Sequence, residues 1–249
     1  MKHAVHIAAK DIRTAFSTPM LFAICSTFLV LAGFFFFTLL KQYNLDIIRF
    51  EKLPAHAPNL NDWVVVPFFR SLSVTLVFIV PLITMKLFYD ERQSGALEIL
   101  LGSALSIYEI ILGKFLAIAF IISSVLVCSF VYPLMLIVFS DPEILPVFMG
   151  FFSLLLFSWA ISSVGLVFSA LIKNPIISGV STLVALLVMY MFTTLSDKFA
   201  FIENFSPVAH LEWAIKGVIT GADLFYFISI ILISLFLANR SIESQTWRT

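Results

Sequence analysis

The chain has 249 residues, 61% of them hydrophobic and only 12% charged. A soluble domain carries about 25% charged residues, so this composition excludes a soluble fold. The net charge is zero, which leaves no basic surface for nucleic acid.

Residues 1–18 predict an amphipathic helix lying on the membrane. Val5, Ala8, Ile12, Ala15 and Phe16 fall on one side, while Lys2, His6, Lys10 and Arg13 gather on the other. Lys2, Lys10 and Arg13 suit the anionic cytoplasmic headgroup layer. Thr18-Pro19 then starts a new helix, because proline fits a first turn but not an interior. The charge-free run Thr14–Leu40 is longer than a signal peptide's apolar region and lacks a small-residue cleavage site, so it is expected to stay in the mature chain. Phe34–Phe37 within it reads as lipid-facing bulk.

Five further charge-free runs follow: Ser71–Met85, Phe115–Ser140, Ile144–Ile172, Asn174–Ser196 and Leu224–Asn239. A helix needs roughly 20 residues to cross the apolar core, so the two short runs borrow flanking length. Pro67 starts the second span, and Arg240 snorkels at the end of the sixth. The spans are thus predicted at 19–40, 67–88, 107–139, 145–172, 175–196 and 223–240. Pro81 is expected to kink the second. Cys25 and Cys128 each sit in an apolar run, without disulfide or metal spacing, and read as small hydrophobes. Gln42–Val66 reads as an external loop with a short helix.

Lys and Arg in the short loops set the orientation. With the N-terminus inside, Lys2, Lys10, Arg13, Lys86, Arg92, Lys114, Lys173, Arg240 and Arg248 lie inside. Lys41, Arg49, Lys52, Arg70, Lys198 and Lys216 lie outside, completing the 15 lysines and arginines. This bias places both termini and the segment Met85–Gly113 in the cytoplasm.

That segment is polar between two apolar runs. Ser94 is expected to cap a helix by accepting an amide hydrogen, with Glu98 in the first turn, where a negative charge suits the dipole. Leu97, Leu100 and Leu101 share one side. A helix over 90–104 therefore reads as a surface lever, with Asp90, Glu91, Arg92, Ser94, Gly95, Leu97, Glu98 and Leu101 as its contact residues. Glu91 and Arg92 either pair with each other or stay solvated. On the opposite side, Asp197–Asp223 is too apolar for a free loop. Pro207, His210 and Gly217 belong to a short helix or re-entrant hairpin dipping into the outer leaflet, where irregular backbone has to be buried in protein.

The sequence offers no catalytic centre. Gly113-Lys114 lacks the upstream glycine and the hydroxyl residue of a phosphate loop. The histidines (His3, His6, His56, His210) are scattered, no metal-ligand spacing occurs, and His210 reads as structural. The charge-free runs hold no group with which to harvest an ion gradient, so transport would need energy from another polypeptide.

Three patches resemble the permease subunit of the ABC-2 class of ATP-binding-cassette transporters. Lys10-Asp11-Ile12-Arg13 running into Ser17-Thr18-Pro19 is similar to the class's opening helix. Asp90-Glu91-Arg92-Gln93-Ser94-Gly95-Ala96-Leu97-Glu98-Ile99-Leu100-Leu101, then Gly113-Lys114, resembles its cytoplasmic signature. Ser206-Pro207, Gly217-Val218-Ile219, Asp223-Leu224 and the tail from Ser241 to Trp247 resemble the close of the gliding-motility (GldF-like) and nitrous-oxide-reductase-maturation (NosY-like) branch. Ala96 stands where the class has threonine, Asp90 where it has glutamate, and Ala104-Leu105 where it has a proline.

The resemblance implies one transmembrane domain over 1–249, an all-α membrane protein. It has six transmembrane helices, an N-terminal interfacial helix, a cytoplasmic coupling helix and an external re-entrant hairpin before the last span. It implies the bacterial inner membrane and a second permease subunit, as homodimer or heterodimer. It implies a separate ATPase subunit carrying ATP and magnesium, with a periplasmic accessory protein as a further partner. No cofactor and no catalytic residue are expected in this chain. The function implied is export of a substrate, or transmission of force, driven by the partner's ATP hydrolysis. Two other readings stay open: a non-transporting scaffold of a periplasmic or motility assembly, and a secondary carrier.

Overall fold

The computed structural model describes residues 2–50, 59–102, 106–140, 142–196, 206–218 and 220–246. Among them every regular element is helical and no strand occurs. In chain order these are α1 (Lys2–Phe16), α2 (Pro19–Phe50), α3 (Val66–Thr84), α4 (Tyr89–Gln93), α5 (Ala96–Leu101) and α6 (Ile107–Ser129). Then come α7 (Val131–Ser140), α8 (Ile144–Leu171), α9 (Pro175–Ser196), α10 (Pro207–Ile215) and α11 (Gly221–Thr246). Six stretches are long and apolar enough to cross a membrane: Pro19–Ile47, Asn61–Gln93, Ile107–Ser140, Ile144–Leu171, Pro175–Phe192 and Gly221–Gln245. The chain is a multi-pass helical membrane protein, in the number of spans that its charge-free runs predict.

Several boundaries differ from expectation, each for a physical reason. The first helix does not stop at residue 40. It runs on through Lys41 and Asp46 to Phe50, because a helix leaving the apolar core continues in water as long as its propensity allows. The second span begins earlier than 67, in a π turn at Asn61–Val65 that leads directly into α3. Val66 N–H bonds back to Asn61 O there, and the wider turn accommodates Pro67, which has no N–H for the ordinary ladder. Pro81 lies in the last turn of α3, and the helix gives way after Thr84 to the turn 85–88. The third span is broken at Phe130, where α6 ends and α7 begins, three residues before Pro133. Of the phenylalanine run, Phe34 and Phe37 do face outward. Phe36 is buried instead, edge-on to Phe68 at 5.6 Å and beside Tyr132 at 5.5 Å.

The bundle is organised around α8, which packs against α3, α6, α9, α10 and α11. Its buried side is rich in small residues: Gly150, Ser153, Ser158, Ala160, Ser162, Ser163, Gly165, Ser169 and Ala170. Small side chains let helices approach closely where lipid supplies no hydrophobic drive, so packing rather than water expulsion holds the bundle. The hydroxyls turn back to their own helix: Ser158 donates to Leu155 O at 2.7 Å and Ser163 to Ala160 O at 2.6 Å. These hydroxyls are thereby satisfied within α8, while Trp159 donates across to Ser123 Oγ on α6 at 2.9 Å.

Contacts at the two ends show that the spans alternate in direction. At one end Asn61 donates to Glu143 O, and Arg70 pairs with Glu212 at 2.8 Å, joining α3 to the start of α8 and to α10. At the other end α1, α4, the start of α6 and the ends of α8 and α11 come together.

Candidate functional site

The α1 end carries the densest set of buried charges. Lys114, eight positions into α6, is almost fully buried, its side chain 2% exposed. Its ammonium lies 2.7 Å from Glu91 Oε2 and 3.2 Å from Asp11 Oδ2, and donates to Leu87 O at 2.9 Å. The Phe88 ring lies beneath it, 5.0 Å away, as a cation–π surface. Glu91 takes a second cation on its other oxygen, Lys10 Nζ at 2.6 Å, and Lys10 also lies 3.4 Å from Asp11. Two lysines and two carboxylates from α1, α4 and α6 thus neutralise one another, which offsets the cost of burying Lys114 and Glu91, while Lys10 closes the cluster from the exposed side. Burial alone would lower the Lys10 pKa, but Glu91 and Asp11 outweigh it and hold the ammonium above its usual value. This contact therefore stabilises fully below the ordinary lysine pKa and is lost only as pH rises through the folded value.

Neighbouring residues fix the same segment to the far helices. Arg92 does not pair with Glu91 and is not left in water. Its guanidinium donates to Ile172 O at 3.1 Å, to Ala170 O, and to Gln245 Oε1 at 3.2 Å. Those carbonyls are the free acceptors at the end of α8, where a cation also suits the dipole. Gln245, in the last turn of α11, donates to Ala170 O as well, at 3.1 Å. Phe88 is completely buried, and its N–H points to Ser169 Oγ at 3.4 Å. Residues Leu87 to Arg92 are therefore bolted to α1, α6, α8 and α11 at once. Arg92→Lys keeps the charge but loses the planar fork. It is expected to lower stability by about 1–2 kcal/mol, read as a fall in melting temperature of the purified protein in detergent.

The described part of the segment 90–104 is not one helix. It is α4 and α5, bent at Gly95, whose φ is 72°. Ser94 does not cap α5: its hydroxyl donates back to Asp90 O at 2.8 Å and closes α4, and Gly95 takes the N-cap position of α5. A hydroxyl one residue before a left-handed glycine reaches the preceding turn more readily than the following one. Glu98 sits in the first turn of α5 and is exposed, as are Gln93 and Ser94. Leu97 is buried in the core, Leu100 is half-buried, and the Leu101 side chain and residues 103–105 lie outside the described residues.

Helix α1 docks on protein by only part of its apolar surface. Its buried face is Ala4, Ile7 and Ala8, with Asp11 half-buried next to them, and it packs along α6. Val5 (59% exposed) and Phe16 point outward. A helix between bundle and bilayer carries two apolar faces, and the small one docks on protein. Gly113 makes that docking close, since a Cβ there would stand 2.8 Å from Ala4 O and 2.9 Å from Ile7 Cβ. Lys10 leaves the headgroup-facing set, because it reaches Glu91. Arg13 is exposed, and the Lys2 side chain lies outside the described residues. Lys114 enters the sequence reading through the loop charges and the signature resemblance, without a partner assigned to it. The adjacent Gly113-Lys114 was its signal, a point of close approach beside a cation inside an otherwise apolar helix.

At the opposite end, Ser206 caps α10 by accepting from Ala209 N–H, and Pro207 fills the first turn. Pro207, Val208, Leu211, Ala214 and Ile215 are buried. His210 Nδ1 lies 2.6 Å from Asp223 Oδ1, and its ring stacks on Tyr226 at 4.2 Å. Thr220 N–H donates to the other Asp223 oxygen, so the carboxylate ties α10 to the start of α11. Gly217, with φ 89°, ends the helix against Pro146. The limb 197–205 of the expected hairpin lies outside the described residues.

No family model and no curated protein matches this chain.

Proposed function

We propose that this chain is the membrane-spanning permease subunit of an ABC-2 type transporter of the GldF/NosY-like branch. In this reading α4 and α5 form the cytoplasmic coupling element. A separate ATPase subunit, holding ATP and magnesium, grips the exposed side of α5 around Glu98. Its closure pushes on a segment whose other end is fastened to four helices, exporting a substrate or passing force across the membrane. A second permease, identical or related, completes the pair. The α10 turn is the external hairpin and offers a surface to a periplasmic accessory protein. The membrane is the bacterial inner membrane, with both termini in the cytoplasm.

The observation that carries this reading is the contrast within one short segment. Leu87–Arg92 is anchored to α1, α6, α8 and α11, while Gln93, Ser94 and Glu98 are left exposed beyond it. Two further points support it. Among the described residues the α1 end collects more lysine and arginine than the opposite end, as cytoplasmic faces do. The buried Lys114 and Glu91 at that end neutralise each other, and the buried Asp223 at the other end lies against His210, so these groups serve the packing of helices rather than an ion path at mid-membrane.

Gly95→Pro tests the reading directly. Proline fixes φ near −65°, the wrong sign for the bend between α4 and α5. With the ATPase co-purified, this variant is expected to lose roughly tenfold or more of its stimulated ATP hydrolysis while the bundle still folds, since a misplacement of about 1 Å costs that much in positioned chemistry. Unaltered stimulation, or transport in vesicles driven by an ion gradient without ATP, would contradict it.

A further inference from the structure

A deep cleft opens at the α1 end, between the start of α2, the end of α3 and the face of α6. It encloses about 360 Å³. Its mouth is polar and its interior is not: below Lys86 and Asp90 the walls are Leu21, Ile24, Ile83 and Ile118. Ile24 and Ile83 also line a small void deeper in the bundle, with Phe28, Leu76 and Ile122, so the apolar trough continues inward between the same three helices. Leu82, 46% exposed, forms an open rim.

Such a cleft does not stay empty. Below its mouth water finds no polar partners, and bare walls forfeit their dispersion contacts. A flexible hydrocarbon chain satisfies both, and α1 places the mouth at the boundary between headgroups and acyl chains. The mouth specifies the rest. Lys10, Lys114, Asp11 and Glu91 are committed to one another. Lys86 and Asp90 are exposed, and among the described residues neither makes an ion pair. One cation and one anion, four positions apart in the chain, complement a headgroup that carries one anion and one cation.

We infer that this cleft is a binding site for a membrane phospholipid with an ethanolamine headgroup. One acyl chain lies in the trough, the phosphate on Lys86 and the primary ammonium on Asp90. The ammonium donates hydrogen bonds to the carboxylate, which a choline headgroup, having no N–H, cannot do. A glycerol headgroup offers Asp90 only neutral hydroxyl donors and no cation, a weaker contact than an ammonium makes. The site does not depend on the coupling reading, since it needs no ATPase.

The test uses the full chain, purified without any partner and exchanged into micelles doped with equal amounts of phosphatidylethanolamine, phosphatidylglycerol and phosphatidylcholine. Retained lipid is read by native mass spectrometry. Phosphatidylethanolamine is expected to exceed each of the others by roughly tenfold, the difference that one charge-assisted contact makes. Asp90→Ala is expected to bring ethanolamine down to choline, and Lys86→Ala to lower retention of both. Ile83→Trp, which fills the trough, is expected to abolish retention of all three. The alanine variants stand on exposed positions and decide the matter even if the tryptophan variant folds poorly. Equal retention of the three headgroups, preference for phosphatidylglycerol, or an ethanolamine preference that survives both alanine substitutions would overturn the assignment.

Discussion

Lys114→Ala is expected to be the most destabilising single substitution at the α1 end. It removes the cation shared by Glu91 and Asp11 and leaves two carboxylates facing each other in a site with little water. Breaking a buried ion pair from one side costs about 3–5 kcal/mol, because the partner keeps its charge but loses its compensation. Glu91 and Asp11 retain some exposure, 12% and 15% of their side chains, and Lys10 still reaches both, so the lower part of that range applies. Thermal unfolding in detergent should show a clear drop for Lys114→Ala. The double variant Lys114→Met with Glu91→Gln should recover much of it, because both the orphaned charge and its partner are gone. A melting temperature unchanged in the single variant would mean that water, not lysine, compensates the acids.

Gly113→Val is the second large effect, and it acts through shape rather than charge. Any Cβ at this position collides with the Ala4 carbonyl and with Ile7, and a branched side chain has no rotamer that escapes both. Helix α1 must move off α6, at a cost of about 1–3 kcal/mol, the usual penalty for overpacking. The displacement separates Lys10 and Asp11 from Glu91 and Lys114, so it also opens the charge cluster. The readout is a cysteine placed at Ala8, buried in the native packing, in a background with Cys25 and Cys128 replaced. It should be shielded from maleimide in the parent and labelled quickly with Gly113→Val. Equal protection in both would show that α1 does not depend on close approach at Gly113.

The membrane-spanning architecture could be read from the chain because its cause is local. A charge in the apolar core is costly wherever it sits, so uncharged runs mark the spans without knowledge of what packs on what. Boundaries were harder, because nothing in an apolar run says how far a helix continues after it leaves the lipid. Both α2 and α11 pass well beyond their charge-free stretches. The site was half legible. Glu91 and Arg92 stand out as charges between apolar runs, but apart from Lys114 their partners Lys10, Ala170 and Ile172 lie some 80 positions away, and no local pattern carries that information. The docking side of α1 was not legible, because Ala4, Ile7 and Ala8 are no more apolar than Val5, Ile12 and Phe16. The choice between those faces is made by Gly113 on another helix.

The role of the α4–α5 segment is tested most directly by a photocrosslinking residue in place of Glu98, exposed at the start of α5, with the protein expressed in its own cells. Irradiation should join it to an ATP-hydrolysing polypeptide, identified by mass spectrometry through a phosphate-binding loop in its sequence. A membrane-impermeant reagent added outside should not reach a cysteine at the same position. Labelling from outside, or a crosslink that never captures such a polypeptide while the protein is folded in the membrane, would contradict the account.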